Sequence, residues 1–367
     1  MNRPWFPSQR GPVCSLQSQP FSRLIIVMTV VGMWITSCTT SLLTERKAPP
    51  GTLTNTSQSL TYTNPVYRDD LPDPFVLHHD DTYYAFSSNV GAVNVMVLRS
   101  TNLTRWTWVA DALPNLPAWA VRGQGLTWAP GVLQRDDAFV LYFAAGHVET
   151  GLQCISYGIS DRPEGPYVDE STEPLICQRG AGCDDVIGSI DPYPFVDDGG
   201  AAYLLWMGAG DTCAYPLVIW AQQLSNDGLS LVGQPSELVR SDQPWEAGVV
   251  ENPAMWKHDG MYYLFYSGNE FLSRDYAVGY ALCETPLGPC TKPRQQPILA
   301  QSGSVMGPGG QAFFTDDQGN LWLAYHAWTA PNVGYPEGKR TLRIDPVTFE
   351  GRKPLICGPT YDPQTLP

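Results

Sequence analysis

Residues 252–268 read NPAMWKHDGMYYLFYSG: a proline start, a short apolar strand, an Asp-Gly turn and an aromatic-rich strand. Asp-Gly between two apolar runs is strong hairpin chemistry, because a tight turn of this kind needs left-handed backbone at both central positions. Four other stretches follow the same template. They are DPFVLHHDDTYYAFSS (73–88), APGVLQRDDAFVLYFAA (129–145), DPYPFVDDGGAAYLLWMG (191–208) and GPGGQAFFTDDQGNLWLAYHAW (307–328). Anchored on Pro74, Pro130, Pro192, Pro253 and Pro308, the steps are 56, 62, 61 and 55 residues. So even a spacing marks one structural unit used five times.

Further strand candidates lie between the hairpins, at 93–100, 154–160, 218–225 and 276–283. About four strands per unit makes a propeller blade, so the sequence predicts an all-β, five-bladed β-propeller. A β-sandwich would not explain so long a period, and no segment offers a helix of three turns. Composition agrees. The 367 residues include 34 Gly, 33 Pro and 11% aromatics against 16% charged residues, a mixture that suits short strands and tight turns. The net charge of −14 argues against a nucleic-acid partner, since phosphate binding needs a basic surface.

In a propeller the first strand of every blade runs beside the central axis, so equivalent positions converge on one small area. Those strands are headed by Asp73-Pro74, Ala129-Pro130, Asp191-Pro192, Glu251-Asn252-Pro253 and Gly307-Pro308. Three heads carry a carboxylate, and Asp73, Asp191 and Glu251 are therefore expected to meet at the mouth of the axial funnel. An aspartate before proline is often no more than a turn cap; three acids at matching heads are harder to explain that way. Three converging carboxylates suit glycosidic bond cleavage. One protonates the leaving oxygen, one activates water or attacks, and a third tunes the acid by like-charge repulsion. Sugar rings also need flat stacking surfaces, and Trp106, Trp108, Trp119, Trp128, Trp245 and Trp328 are candidates, Trp128 foremost.

The motifs LPDPFV (71–76), GLTWAPGV (125–132), IDPYPFVD (190–197), VENPAMWKHDGMYYLFYS (250–267) and WLAYHAW (322–328) resemble those of glycoside hydrolase family 43. The resemblance spans roughly residues 65–355. It implies a five-bladed propeller that inverts the anomeric carbon, with Asp73 as general base, Asp191 as pKa modulator and Glu251 as general acid. It also implies a histidine near the axis in the last blade, matched by His326 and expected to bind substrate or a metal ion. A sugar-contacting arginine before the last strand is matched by Arg340, with Arg343 the competitor. No cofactor is required, though a Ca2+ or other ion on the axis stays open. Two departures bear on that ion: Gly310 stands where many members carry histidine, and Gly131 where an acidic residue often follows the second-blade proline.

The resemblance is nearest to exo-acting α-L-arabinofuranosidases that trim α-1,5-arabinan, which makes plant cell-wall polysaccharide the expected partner. A β-xylosidase, an endo-arabinanase, a retaining five-bladed fructosidase and a non-catalytic sugar-binding propeller are the competing readings.

At the N-terminus, Arg3, Arg10 and Arg23 precede an apolar run at 24–35, followed by Thr36, Ser37 and Cys38. Residues 1–37 therefore read as a secretory signal. The run is too short to span a bilayer comfortably. ITSC resembles a bacterial lipobox with Cys38 as the lipidated residue; a plain cleaved signal or a short anchor are the alternatives. The Thr-, Ser- and Pro-rich residues 38–60 read as a tether and 61–367 as the catalytic domain. The protein is expected to be exported, with membrane contact only through the lipid. Seven cysteines remain beyond Cys38, and Cys283–Cys290, around a Pro-Gly turn, is the local disulfide candidate.

Overall fold

Each repeat unit folds as an antiparallel meander that runs outward from a common axis. The computed structural model describes residues 61–366 except 137, 180–187 and 213–214. The leader, Cys38 and the tether lie outside the described residues. The first blade comprises Phe75–His79, Thr82–Ser87, Met96–Ser100 and Thr107–Asp111. In the second, Thr127–Arg135, Ala138–Gly146 and Gln153–Ser160 form the sheet, and isolated bridges from Ile155 to Ile176 and Ile159 to Val168 extend its outer edge. The third holds Ile190–Val196, Ala202–Thr212, Tyr215–Leu224 and Leu231–Arg240; the fourth holds Val250–His258, Met261–Gly268, Ala277–Cys283 and Cys290–Thr291. Among the described residues the one helical element is a 3-10 turn at Pro244–Glu246.

The fifth blade closes the ring. Its strands Val305–Thr315, Leu321–Thr329 and Thr341–Glu350 are completed by Tyr67–Asp70, from the start of the domain. Thr61–Tyr62 pairs with Gln364–Thr365, so both ends of the domain are fastened to each other. Behind this seam Asp345 is fully buried and accepts hydrogen bonds from Tyr325 and Thr360, each at 2.6 Å. Apolar side chains fill the wedges between blades: Phe86, Leu141 and Phe143 between the first and second, Tyr142, Leu204 and Trp206 between the second and third. Tyr62, Val76 and Trp322 fill the wedge between the fifth and first. The core is thus a ring around the axis, and burying it requires all five blades. The Cys283–Cys290 disulfide is formed, as is Cys154–Cys177.

The hairpin turns follow their chemistry. Asp259 and Gly260 both adopt positive φ, at 47° and 75°, and join His258 to Met261 in a two-residue loop. A second positive-φ series organises the axis. Asp73 (φ 50°), Ala129 (43°), Asp191 (57°), Asn252 (46°) and Gly310 (60°) all stand in the left-handed region, one per blade. In blades two to five two inner-strand residues face one on the partner at this point, between Trp128 and Gly131, Ile190 and Tyr193, Glu251 and Ala254, and Gly309 and Ala312. Each of these four inner strands therefore bulges where it meets the axis.

This alignment corrects two expectations. The fifth head is Gly310-Gln311 and not Gly307-Pro308, because a separate bulge between Met306 and Gly309 takes up Gly307-Pro308. The last repeat step becomes 58 residues, from Pro253 to Gln311. Glu251 is not the equivalent of Asp73 and Asp191 either; Asn252 is, and Glu251 matches Trp128 and Ile190 one position earlier. All five left-handed residues line the axial channel; Asp73, Asp191 and Asn252 also reach the cavity above, where the predecessors Trp128, Ile190 and Glu251 join them.

Candidate active site

Above the axis lies a cavity of about 400 Å³, walled by Asp73, Asp191, Glu251, Trp128, Phe271, Tyr335 and Arg340, among others. Three blades thus bring the three acids together. Of the other candidates, Arg340 and Trp128 line the cavity and Arg343 does not. The Arg343 side chain is buried in the fifth blade, donating to the Thr329 hydroxyl at 2.9 Å and to the Thr360 carbonyl. Trp106, Trp119 and Trp328 are core residues, Trp108 is exposed, and Trp245 packs on Tyr266.

Asp73 sits in a dense set of partners. Its Oδ2 accepts the Ser88 hydroxyl at 2.6 Å, and Ser88 Oγ in turn accepts the Ala129 N–H at 2.7 Å. Arg340 Nη1 lies 3.3 and 3.4 Å from the two carboxylate oxygens. Burial on its own would raise this carboxyl. The Arg340 charge and the Ser88 hydrogen bond outweigh it and hold Asp73 below the ordinary carboxylate range. Asp73 is therefore ionised at neutral pH.

The other two acids move the opposite way. Burial is the main cause for Glu251, with the charges of Asp73 and Glu270 adding to it; the Tyr276 hydroxyl, 2.6 Å from Oε1, and Arg340 oppose it. The result is about 7. Burial also raises Asp191, followed by the charges of Glu251 and Asp73, against one hydrogen bond from the Asn252 N–H at 2.9 Å. Asp191 and Glu251 titrate as a pair, and the proton they hold belongs to both. A site with one ionised carboxylate and another carboxyl still protonated near pH 7 has the two partners of acid–base chemistry.

His326 is fully buried, and burial lowers its pKa to about 3, so the ring is neutral. Its Nδ1 accepts the Asp73 N–H at 3.0 Å, which places the ring hydrogen on Nε2. That nitrogen is buried without a hydrogen-bond partner among the described residues. A nitrogen bearing a hydrogen has no lone pair for a metal, and no group of three or more His, Cys, Asp or Glu suited to an ion occurs among the described residues. The donor set does not fit an ion held through His326, and the ring does not line the cavity. Its visible work is to orient Asp73.

Both departures from the family motifs have a steric cause. A Cβ at Gly310 would stand 2.5 Å from His326 Cε1 and Nδ1 and 2.9 Å from Asp73 Oδ1. At Gly131 it would meet Pro194 Cδ at 2.6 Å and the Pro192 carbonyl at 2.7 Å. Neither position accepts a side chain in this packing.

Ser88, Tyr276, Asn252, Asp70, Tyr335 and Phe271 were not singled out from sequence. Asp70 Oδ1 accepts the Arg340 N–H at 2.7 Å, and the Tyr335 hydroxyl reaches both Asp70 oxygens. Arg340 lies over the Phe271 ring, 4.9 Å from its centroid. Ser88 ends the blade-one hairpin and Tyr276 precedes the third strand of blade four. Polar residues at such strand ends are the signal that was available.

A five-bladed propeller with protonated and ionised carboxyl groups gathered at the axial mouth defines a glycoside hydrolase. The model of glycosyl hydrolases family 43 matches residues 62–352, and the chain belongs to that family. A crystal structure of a thermostable family-43 glycoside hydrolase superposes with a TM-score of 0.73 at 31% identity, covering 83% of this chain and 98% of that one. A β-D-galactofuranosidase of Aspergillus niger is 26% identical over 289 residues, 75% of this chain and 78% of that protein. An arabinoxylan arabinofuranohydrolase of Bacillus subtilis is 27% identical over 354 residues, 84% of this chain and 66% of that protein. Relatives at comparable identity divide among arabinanase, xylosidase and arabinofuranosidase names.

Proposed function

We propose that the protein is an inverting exo-α-L-arabinofuranosidase acting on α-1,5-arabinan or its oligosaccharides. The observation that carries the chemistry is the protonation asymmetry: Arg340 and Ser88 hold Asp73 ionised, while burial keeps Glu251 protonated to about pH 7. In this reading Asp73 takes a proton from the attacking water, and Glu251 gives its proton to the glycosidic oxygen as the bond breaks. Asp191 shares the proton of the pair and so tunes how readily it leaves. Trp128 offers a stacking face, and Arg340, fixed by Asp70 and Tyr335, holds both Asp73 and the sugar. The arabinofuranosyl preference draws support from the motif resemblance and from two relatives whose names denote furanosidases.

The test is a screen of arabinofuranosyl, galactofuranosyl and xylosyl aryl glycosides, with debranched arabinan alongside, and the product anomer read by NMR. Arabinose released with inverted configuration is the expected result. Xylose release would move the assignment to a β-xylosidase. Full hydrolysis of debranched arabinan, whose leaving group needs protonation, by Glu251→Gln would overturn the roles given to the acids. The leader supports export with Cys38 lipidated: labelled palmitate should be incorporated in the native chain and not in Cys38→Ser.

A further inference from the structure

Tyr276 precedes the third strand of blade four and is wholly buried. Its ring lies nearly parallel to His326, with centroids 5.8 Å apart and planes 7° apart. Gly309 leaves the room it needs, since a Cβ there would come within 2.1 Å of the ring. Held in this way, the hydroxyl stands 2.6 Å from Glu251 Oε1 and 2.9 Å from Asn252 Oδ1. A phenol has one proton and donates to one acceptor at a time. An ionised carboxylate is the stronger acceptor, by roughly a factor of two over a neutral one. The preferred partner of Tyr276 therefore depends on whether Glu251 carries its proton.

We propose that Tyr276 is a positioning residue for the general acid, its hydroxyl turning from Asn252 Oδ1 to Glu251 Oε1 as Glu251 gives up its proton. The inference rests on Glu251 being that acid. The Glu251 proton passes to the glycosidic oxygen, which also keeps the electron pair of the broken C–O bond, and Glu251 is left as a carboxylate. The Tyr276 proton turns but stays on its own oxygen. The hydrogen bond to Glu251 thus strengthens as negative charge develops, which is the condition for it to lower the barrier. Asn252 is well fixed to hold the waiting hydroxyl. Its N–H donates to Asp191 Oδ2 at 2.9 Å, and its carbonyl accepts from Gln311 Nε2 at 2.6 Å.

Charged groups face Glu251 from every side: Asp73 and Asp191 from the first and third blades, Arg340 from the fifth, and Glu270 from the loop after Met261–Gly268. Tyr276 is the uncharged donor in this set, so changing it alters hydrogen bonds and no net charge.

The experiment is a pH profile of kcat and kcat/KM for Tyr276→Phe and for the enzyme with 3-fluorotyrosine at position 276. The substrates are 4-nitrophenyl α-L-arabinofuranoside and α-1,5-arabinotriose, or their xylosyl counterparts if the screen selects those. With phenylalanine the basic limb should move up by about one pH unit, the worth of one hydrogen bond to a carboxylate. Its kcat on the oligosaccharide should fall about tenfold with KM little changed, and the nitrophenyl substrate, whose leaving group needs little protonation, should be spared. Fluorotyrosine, a stronger donor, should move the same limb down. Unmoved limbs in both variants would overturn the proposal. Should the phenylalanine variant fail to fold, the fluorotyrosine variant decides alone. Glu251→Gln is run beside them: loss confined to the oligosaccharide keeps Glu251 as acid, whereas full activity there removes that assignment whatever Tyr276 does.

Discussion

Arg340 Nη1 stands 3.3 and 3.4 Å from the two carboxylate oxygens of Asp73, although 267 residues separate them in the chain. The arginine precedes the third strand of blade five and the aspartate heads blade one, so the pair forms across the seam where the ring closes. Arg340→Ala should strip Asp73 of the cation that holds it ionised. Burial would then raise the base, and the acidic limb of the kcat/KM profile should move to higher pH. A 100-fold or greater loss of kcat/KM, about 3 kcal/mol, is expected from steady-state kinetics.

Ser88 makes the complementary contact from blade one, donating to Asp73 and accepting from Ala129. Ser88→Ala removes both bonds. The acidic limb should rise by less than in the arginine variant, because a neutral donor is lost and not a charge. Thermal melts should show a loss of about 1–2 kcal/mol for the stranded Ala129 N–H.

The Glu251 carboxyl links catalysis to stability. Its folded-state pKa of about 7 lies above the ordinary 4.5, so the folded protein holds this proton more tightly than the unfolded chain. Its contribution is complete below pH 4.5 and is lost as pH rises through about 7. Glu251→Gln cannot ionise, so it should match the native protein at pH 4 and be more stable at pH 8. Because Glu251 is partly open to the cavity, roughly 1–3 kcal/mol is expected from denaturant melts at the two pH values. An equal difference at both would show that the carboxyl is not raised.

Gly310→Ala places a Cβ against His326 and Asp73 at φ 60°. Strain and collision together should cost about 2–4 kcal/mol. Activity should fall beyond the stability loss, because His326 is the acceptor that orients the Asp73 N–H. Calorimetry and kinetics on the same preparation separate the two effects.

The repeat explains why so much was legible in the chain. A proline after a left-handed residue, a turn and an aromatic strand are local signals, and local signals survive in sequence. Five copies at even spacing determined the propeller, and the propeller determined that Asp73, Asp191 and Glu251 would meet. The fifth head was misread because Gly310 takes the left-handed turn with no proline after it, while Gly307-Pro308 carries the cue at a different bulge. The helpers were silent for another reason. Ser88, Tyr276 and Asn252 matter only through contacts across blades or between strands, and nothing in their neighbouring residues encodes those contacts.

The stretch at 252–268 therefore determined a hairpin by itself, and with its four relatives a five-bladed ring on which three acids converge. What tertiary structure alone decided is how those acids differ. Asp73 lies under Arg340, brought from the far side of the closing seam, and is kept ionised; Glu251 lies in a buried wall beside Tyr276 and keeps its proton. Residue type sets where a carboxyl begins to titrate, but burial and neighbouring charge decide where it ends, and both are properties of the closed ring.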